Sequence, residues 1–108
     1  MAIKQLENFD IEKTRTYAAI RCKFSEFSPK IEDEAKAVFA YVFFQMKTDV
    51  RLELHPDMFI PTGMLLKILD MGRELASENG RLLTIHNTPD ALIRLLKRFD
   101  LDKIIEAV

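Results

Sequence analysis

The sequence predicts an α/β fold: a mixed sheet of four to five strands, an antiparallel strand pair at its N-terminus, parallel crossovers after that, and helices packed against the sheet. Three observations carry this expectation. Two segments rich in β-branched and aromatic residues lie near the start, joined by a short connection. Beyond them, stretches of period-two alternation take turns with stretches of three-four apolar spacing. Helix starts are marked by a hydroxyl residue beside a proline, at Ser28-Pro29, Pro61-Thr62 and Thr88-Pro89. With 108 residues, 48% of them apolar, the chain supports one core and no second domain, so residues 1–108 are expected to form a single unit.

The elements follow in order. Ile3 to Phe9 alternates through Ile3, Leu6 and Phe9, and Thr14 to Cys22 is rich in strand formers; Asp10-Ile11-Glu12-Lys13 reads as the hairpin connection between them. Ser28 is the expected N-cap of the first helix, with Pro29 at its first position and Glu32, Asp33 and Glu34 near its positive end. Its apolar residues Ile31, Ala35, Val38, Phe39, Val42, Phe43 and Met46 form a buried face that Tyr41 and Phe44 widen. A helix apolar over so much of its surface lies against a sheet or meets a partner. Val50 to His55 alternates as a strand, and Pro56 to Pro61 reads as a loop. From Thr62 a second helix presents Met64, Leu65, Ile68, Leu69, Gly72, Leu75 and Ala76 on one face and stops at Asn79-Gly80. Arg81 to His86 is a short buried strand, and Thr88 the N-cap of a third helix through Leu92, Leu95, Leu96 and Phe99. The closing segment, Leu101 to Glu106, fits either helix or strand.

Composition excludes several classes of function. The 16 Lys and Arg against 17 Asp and Glu leave no excess of positive charge for a phosphate backbone, so no nucleic-acid partner is expected. No apolar run reaches the ~20 residues that span a bilayer, and the N-terminus does not read as a secretion signal, so a cytoplasmic protein without membrane insertion is expected. One cysteine, Cys22, and two histidines, His55 and His86, fall short of a zinc ligand set, and no metal or other cofactor is expected. Cys22 reads as an inert, partly buried thiol.

In an open α/β sheet, functional groups collect at the carboxyl ends of the strands. Here that rim gathers His55, Asp57, Met58, Phe59, Thr62 and Gly63 from one crossover and His86, Asn87 and Thr88 from the next. The free N–H groups opening the Thr62 helix, with Gly63, His86 and Thr88 nearby, could hold an anion, although capping alone explains the hydroxyls. Arg94, Lys97 and Arg98 form a basic cluster that either binds phosphate or complements its helix's negative end.

Three segments carry a resemblance. Leu52-Glu53-Leu54 with Met58 through Leu69, then Asn79 through Pro89, then Phe99-Asp100-Leu101-Asp102-Lys103-Ile104-Ile105, together resemble the core and ending of STAS domains, the family of anti-sigma-factor antagonists and sulfate-transporter tails. The likeness covers roughly Val50 to Val108; before that only the element order agrees. In the family a strand ends in Asp-Ser-Ser-Gly, and a partner kinase that is also an anti-sigma factor phosphorylates the first serine. Gly63 matches the glycine and Thr62 the second serine, whereas Pro61 stands at the acceptor and Ile60 at the aspartate. The acceptor position therefore carries no hydroxyl, and Thr62 is the available substitute. The resemblance implies a non-catalytic regulatory module that docks a kinase-type anti-sigma factor or a related assembly. The docking surface is expected at Asp57, Met58, Phe59, Ile60, Thr62, Gly63 and Leu66. A module binding a nucleotide or other anion, or a subunit of a transporter complex, is the alternative.

Overall fold

The computed structural model describes residues 2–77 and 80–108. Its elements are β1 (Ala2–Gln5), β2 (Phe9–Lys13), β3 (Tyr17–Cys22), α1 (Pro29–Gln45), β4 (Asp49–Glu53), α2 (Thr62–Ser77), β5 (Leu83–His86), α3 (Asp90–Arg98) and β6 (Ile105–Ala107). The α/β class, the mixed sheet and the helical crossovers agree with the sequence reading. The sheet has six strands in sequential order, β1 to β6; β1–β2 and β2–β3 pair antiparallel and the later pairs parallel.

The sixth strand corrects the N-terminal hairpin. Asp10 to Lys13 belongs to a strand, because Phe9 and Ile11 alternate with Asp10 and Glu12 and are buried while the acids are not. The turns lie on either side of it. Leu6 N–H donates to the Phe9 carbonyl at 2.8 Å. At the other end, the Thr14 hydroxyl oxygen accepts the Tyr17 N–H at 3.2 Å, and the Thr14 N–H donates to the Tyr17 carbonyl at 2.9 Å. The closing segment resolves into a turn and the short edge strand β6.

One face of the sheet is apolar throughout: Phe9, Ile11, Ala18, Ile20, Val50, Leu52, Leu83, Ile85 and Ile105 are all buried. Sequential strand order with right-handed crossovers puts all three helices on that same face. The buried side chains of α1 (Ala35, Val38, Phe39, Val42), of α2 and of α3 (Leu92, Leu96) join the strands in one core. The opposite face is polar. There Arg21 lies between Glu53 (3.2 Å) and Glu12 (3.5 Å), Lys23 pairs with Asp10 at 3.0 Å, and Arg51 stacks 4.0 Å from the Tyr17 ring centroid.

Capping at α1 follows the sequence: Ser28 Oγ accepts the Ile31 N–H at 3.2 Å with Pro29 next in the helix. Its other end has no basic residue in the last turn, and Arg81 supplies the cation from far along the chain. The Arg81 side chain is buried and donates to the carbonyls of Thr48 (2.8 Å), Phe43 (3.2 Å) and Met46, with its guanidinium 5.5 Å from the Phe43 ring centroid. Of the predicted stop after α2, Gly80 adopts the left-handed φ of 67°, while Asn79 lies outside the described residues.

Two outcomes test this packing. Arg81→Met keeps the apolar stem but strips three carbonyls of their donor, and should lower stability by about 2–4 kcal/mol in urea unfolding. At Gly72, a Cβ would strike Ile105 Cδ1 and Cγ1, so α2 sits against β6 only because this residue has no side chain. Gly72→Ala should destabilise by about 1–2 kcal/mol despite the better helix propensity of alanine, and Ile105→Val in the same chain should recover part of that loss.

Candidate functional site

The carboxyl ends of β4 and β5 open onto the same rim, held together by backbone. Leu54 N–H donates to the His86 carbonyl at 3.2 Å, and Asn87, at a left-handed φ of 57°, donates from Nδ2 to the Leu54 carbonyl at 3.0 Å. After β4 the chain turns at His55, whose Nδ1 accepts the Asp57 N–H at 3.3 Å and whose carbonyl accepts the Met58 N–H at 3.1 Å. It then runs extended to Pro61.

That extended stretch alternates, and the alternation divides the expected docking residues. Met58 and Ile60 are buried in the core, 5% and 6% exposed, whereas Phe59 between them is 76% exposed. Met58 and Ile60 are therefore corrected to packing residues. An extended chain sends neighbouring side chains to opposite sides, and the inward side here is the apolar core. Phe59 also forms an isolated parallel bridge with Glu26, so its backbone is anchored while its ring faces solvent. Asp57, Thr62 and Gly63 are exposed, and Leu66, one helical turn on, is 48% exposed.

Neither expected hydroxyl cap is a cap. The Pro61 carbonyl accepts the N–H groups of Met64 and Leu65, both at 3.0 Å, so Pro61 holds the N-cap position and Thr62 is the first helical residue. Its hydroxyl has no hydrogen-bond partner among the described residues. At α3 the cap is Pro89, whose extended ψ of 149° delays the helix to Asp90. The Thr88 hydroxyl lies 3.0 Å from the Ile85 carbonyl and 3.2 Å from the Val108 carbonyl, fastening the C-terminus to the end of β5. With its proton committed to a carbonyl, Thr88 is a closing residue of the sheet. His86 is half-buried, with Nε2 enclosed and unpaired among the described residues.

The sequence reading kept Thr62 and the basic cluster apart, and the fold divides that cluster and brings two of its three members to Thr62. Thr62, Leu65, Ala91, Arg94, Leu95 and Arg98 line one groove between α2 and α3, while Lys97 faces a different one on the other side of α3. The i,i+4 spacing of Arg94 and Arg98 was the available signal for their shared face; their nearness to Thr62 depends on the order of β4 and β5. Among the described residues no group of three His, Cys, Asp or Glu is placed to hold a metal ion.

Cys22 is unsuited to nucleophilic work. Burial, with a smaller contribution from Glu53, pushes its thiol up to about 12. Between the ordinary thiol value of 9.0 and that raised value, an unfolded chain releases the proton while the folded chain keeps it. Stability is therefore lost as pH rises through that window. Denaturant titrations at rising alkaline pH should show wild type losing stability faster than Cys22→Ala. At neutral pH a disulfide reagent should label Cys22 far more slowly in the folded chain than in the unfolded one.

No protein-family model matches the sequence, and no curated protein gives a significant match. Among solved structures, the Bacillus cell fate determinant SpoIIAA in its phosphorylated form superposes with a TM-score of 0.68, covering 93% of this chain and 90% of that one at 19% identity. At that identity the likeness is one of fold. The chain is thus an α/β domain with the STAS-type fold of SpoIIAA, its helices on one face of the sheet and Phe59, Thr62 and Leu66 exposed at the rim where β4 gives way to α2.

Proposed function

We propose that the protein is a non-catalytic regulatory module of the cytoplasm that docks a protein partner through the rim formed by Asp57, Phe59, Thr62, Gly63 and Leu66. The observation that carries this reading is the exposure of Phe59: an aromatic ring 76% open to solvent, on a backbone fixed by its bridge to Glu26, between two neighbours the core consumes. A fixed, exposed aromatic is the type of residue that contributes most when an interface closes over it. Resemblance to the anti-sigma-factor antagonists names the partner class, a kinase-type anti-sigma factor or a related assembly, and likeness in fold to a protein solved in phosphorylated form supports it. No helix among the described residues is long and apolar enough to cross a membrane, which accords with a partner met in solution.

The acceptor serine of the family is Pro61 here, so regulation acts without it. Thr62 is the substitute the geometry favours, because its hydroxyl has no partner among the described residues and opens on the groove lined by Arg94 and Arg98. A phosphate placed there would meet two guanidinium groups and the positive end of α2.

Titration calorimetry with the anti-sigma serine kinase of the same host should show binding that Phe59→Asp weakens at least roughly 100-fold, the scale of a central aromatic anchor, while far-UV circular dichroism stays unchanged. Retained affinity would sink the rim assignment. Intact mass after incubation with that kinase and ATP should show one phosphate on wild type and none on Thr62→Val; an unmodified wild type would leave docking without the Thr62 switch.

A further inference from the structure

Two arginines on one face of α3 are left unanswered by the rest of the chain. Arg21 is met by Glu12 and Glu53, Arg51 by the Tyr17 ring, Arg73 by Asp70 at 3.1 Å and Arg81 by backbone carbonyls. Arg94 and Arg98 are exposed and have no ion pair or hydrogen bond among the described residues. The negative end of α3 accounts for Lys97 and Arg98, which lie in its last turn; Arg94 stands a turn earlier, where the dipole gives it little.

Both guanidinium groups line the groove that Thr62, Leu65, Ala91 and Leu95 complete, and no carboxylate lines it. Its volume of about 470 Å³ is that of a ligand or peptide site rather than of a single ion. Leu65 belongs to the core and Leu95 is half-buried against it, so the floor is apolar while the α3 wall carries the cations. Leu66, 48% exposed, follows Thr62 by one turn on the same face of α2, which makes the groove continuous with the rim.

This combination selects its occupant. A free phosphate would answer the cations and leave the apolar floor wet; a purely apolar segment would cover the floor and leave two buried guanidinium groups unpaired. A helix with an acidic edge does both. Carboxylates four residues apart on a helix are separated by ~6 Å along its axis, the separation of Arg94 and Arg98 along theirs, and each can take a guanidinium fork. The apolar side of such a helix then lies between α2 and α3. We propose that this groove receives an acidic amphipathic helix of the protein partner, with Arg94 and Arg98 each holding one of two carboxylates a turn apart. The proposal rests on the reading of the rim as the partner surface and adds the chemistry the partner presents beside it. A phosphate on Thr62 would draw on the same two cations.

Two measurements test it. In the first, the isotope-labelled protein is titrated with a synthetic amphipathic helix of alanine and leucine that carries two glutamates four residues apart, and with its twin carrying lysines. The acidic peptide should shift the amide signals of Thr62, Leu65, Ala91 and Leu95 to saturation, with the lysine twin at least roughly tenfold weaker; Arg94→Glu with Arg98→Glu should invert that preference. Arg94→Gln with Arg98→Gln, which keeps the helix and removes only charge, should abolish it. No saturating shift at those amides, equal response to both peptides, or an equal response to inorganic phosphate overturns the proposal. In the second, calorimetry with the anti-sigma serine kinase of the same host should show the double glutamate variant binding about 100-fold more weakly. Binding that Phe59→Asp weakens but the arginine reversal leaves intact overturns this inference and keeps the rim. A kinase that fails to bind wild type sinks the rim reading, and the peptide titration then decides the groove by itself.

Discussion

The buried guanidinium of Arg81 is the contact on which the rest of the architecture depends. It takes up carbonyls of Phe43, Met46 and Thr48, so the end of α1 and the turn into β4 are fastened to the start of β5. Its backbone N–H donates to the Leu75 carbonyl at 3.0 Å, so the same residue also closes α2. Two helix ends and two strand starts meet at one residue. The contact to Met46 is buried and the other two are partly so, and a carbonyl left unpaired in the interior costs more than a formed hydrogen bond gains. The amino ends of β4 and β5 are thereby set relative to one another, and their carboxyl ends, where the candidate site lies, inherit that setting through two parallel strands.

Sheet and helices divide their labour by face. The apolar face is wholly committed to the core, so specificity has to come from the rims, the outer sides of the helices or the open polar face. That polar face is already satisfied by its own ion pairs: Arg21 bridges Glu12 and Glu53 across three neighbouring strands, and Lys23 answers Asp10. It offers a partner little unpaired charge. The rim and the outer side of α1 retain exposed apolar groups, Phe59 and Leu66 on one and Tyr41 and Phe44 on the other.

Much of this was legible in the sequence because local signals and tertiary demands agreed. The Ser28-Pro29 start, the three-four spacing of α1 and α2 and the alternation of β4 all describe what the chain does. The misses share one cause, a signal decided by distant contacts. β2 has only two apolar residues, and its strand nature rests on pairing with both neighbours. Met58 and Ile60 looked like rim residues because prolines flank them, but a loop crossing a core's edge buries every second side chain. The Thr62 and Thr88 hydroxyls sit where caps belong, one residue out of register, because the adjacent prolines occupy the capping positions. The groove joining Thr62 to Arg94 and Arg98 had no local signal, since it exists only once β5 lies beside β4.

The sequential strand order also governs how the molecule avoids unwanted company. In a sheet ordered β1 to β6 the first and last strands are the edges, and they are the places where a foreign strand would add itself. Here both are short, four and three residues, with Glu106 exposed in the middle of the second. So brief a ladder gives an incoming chain few hydrogen bonds and sets a carboxylate in its way. Runaway growth from strand to strand is suppressed at both margins, and contacts between molecules are left to surfaces whose extent is finite.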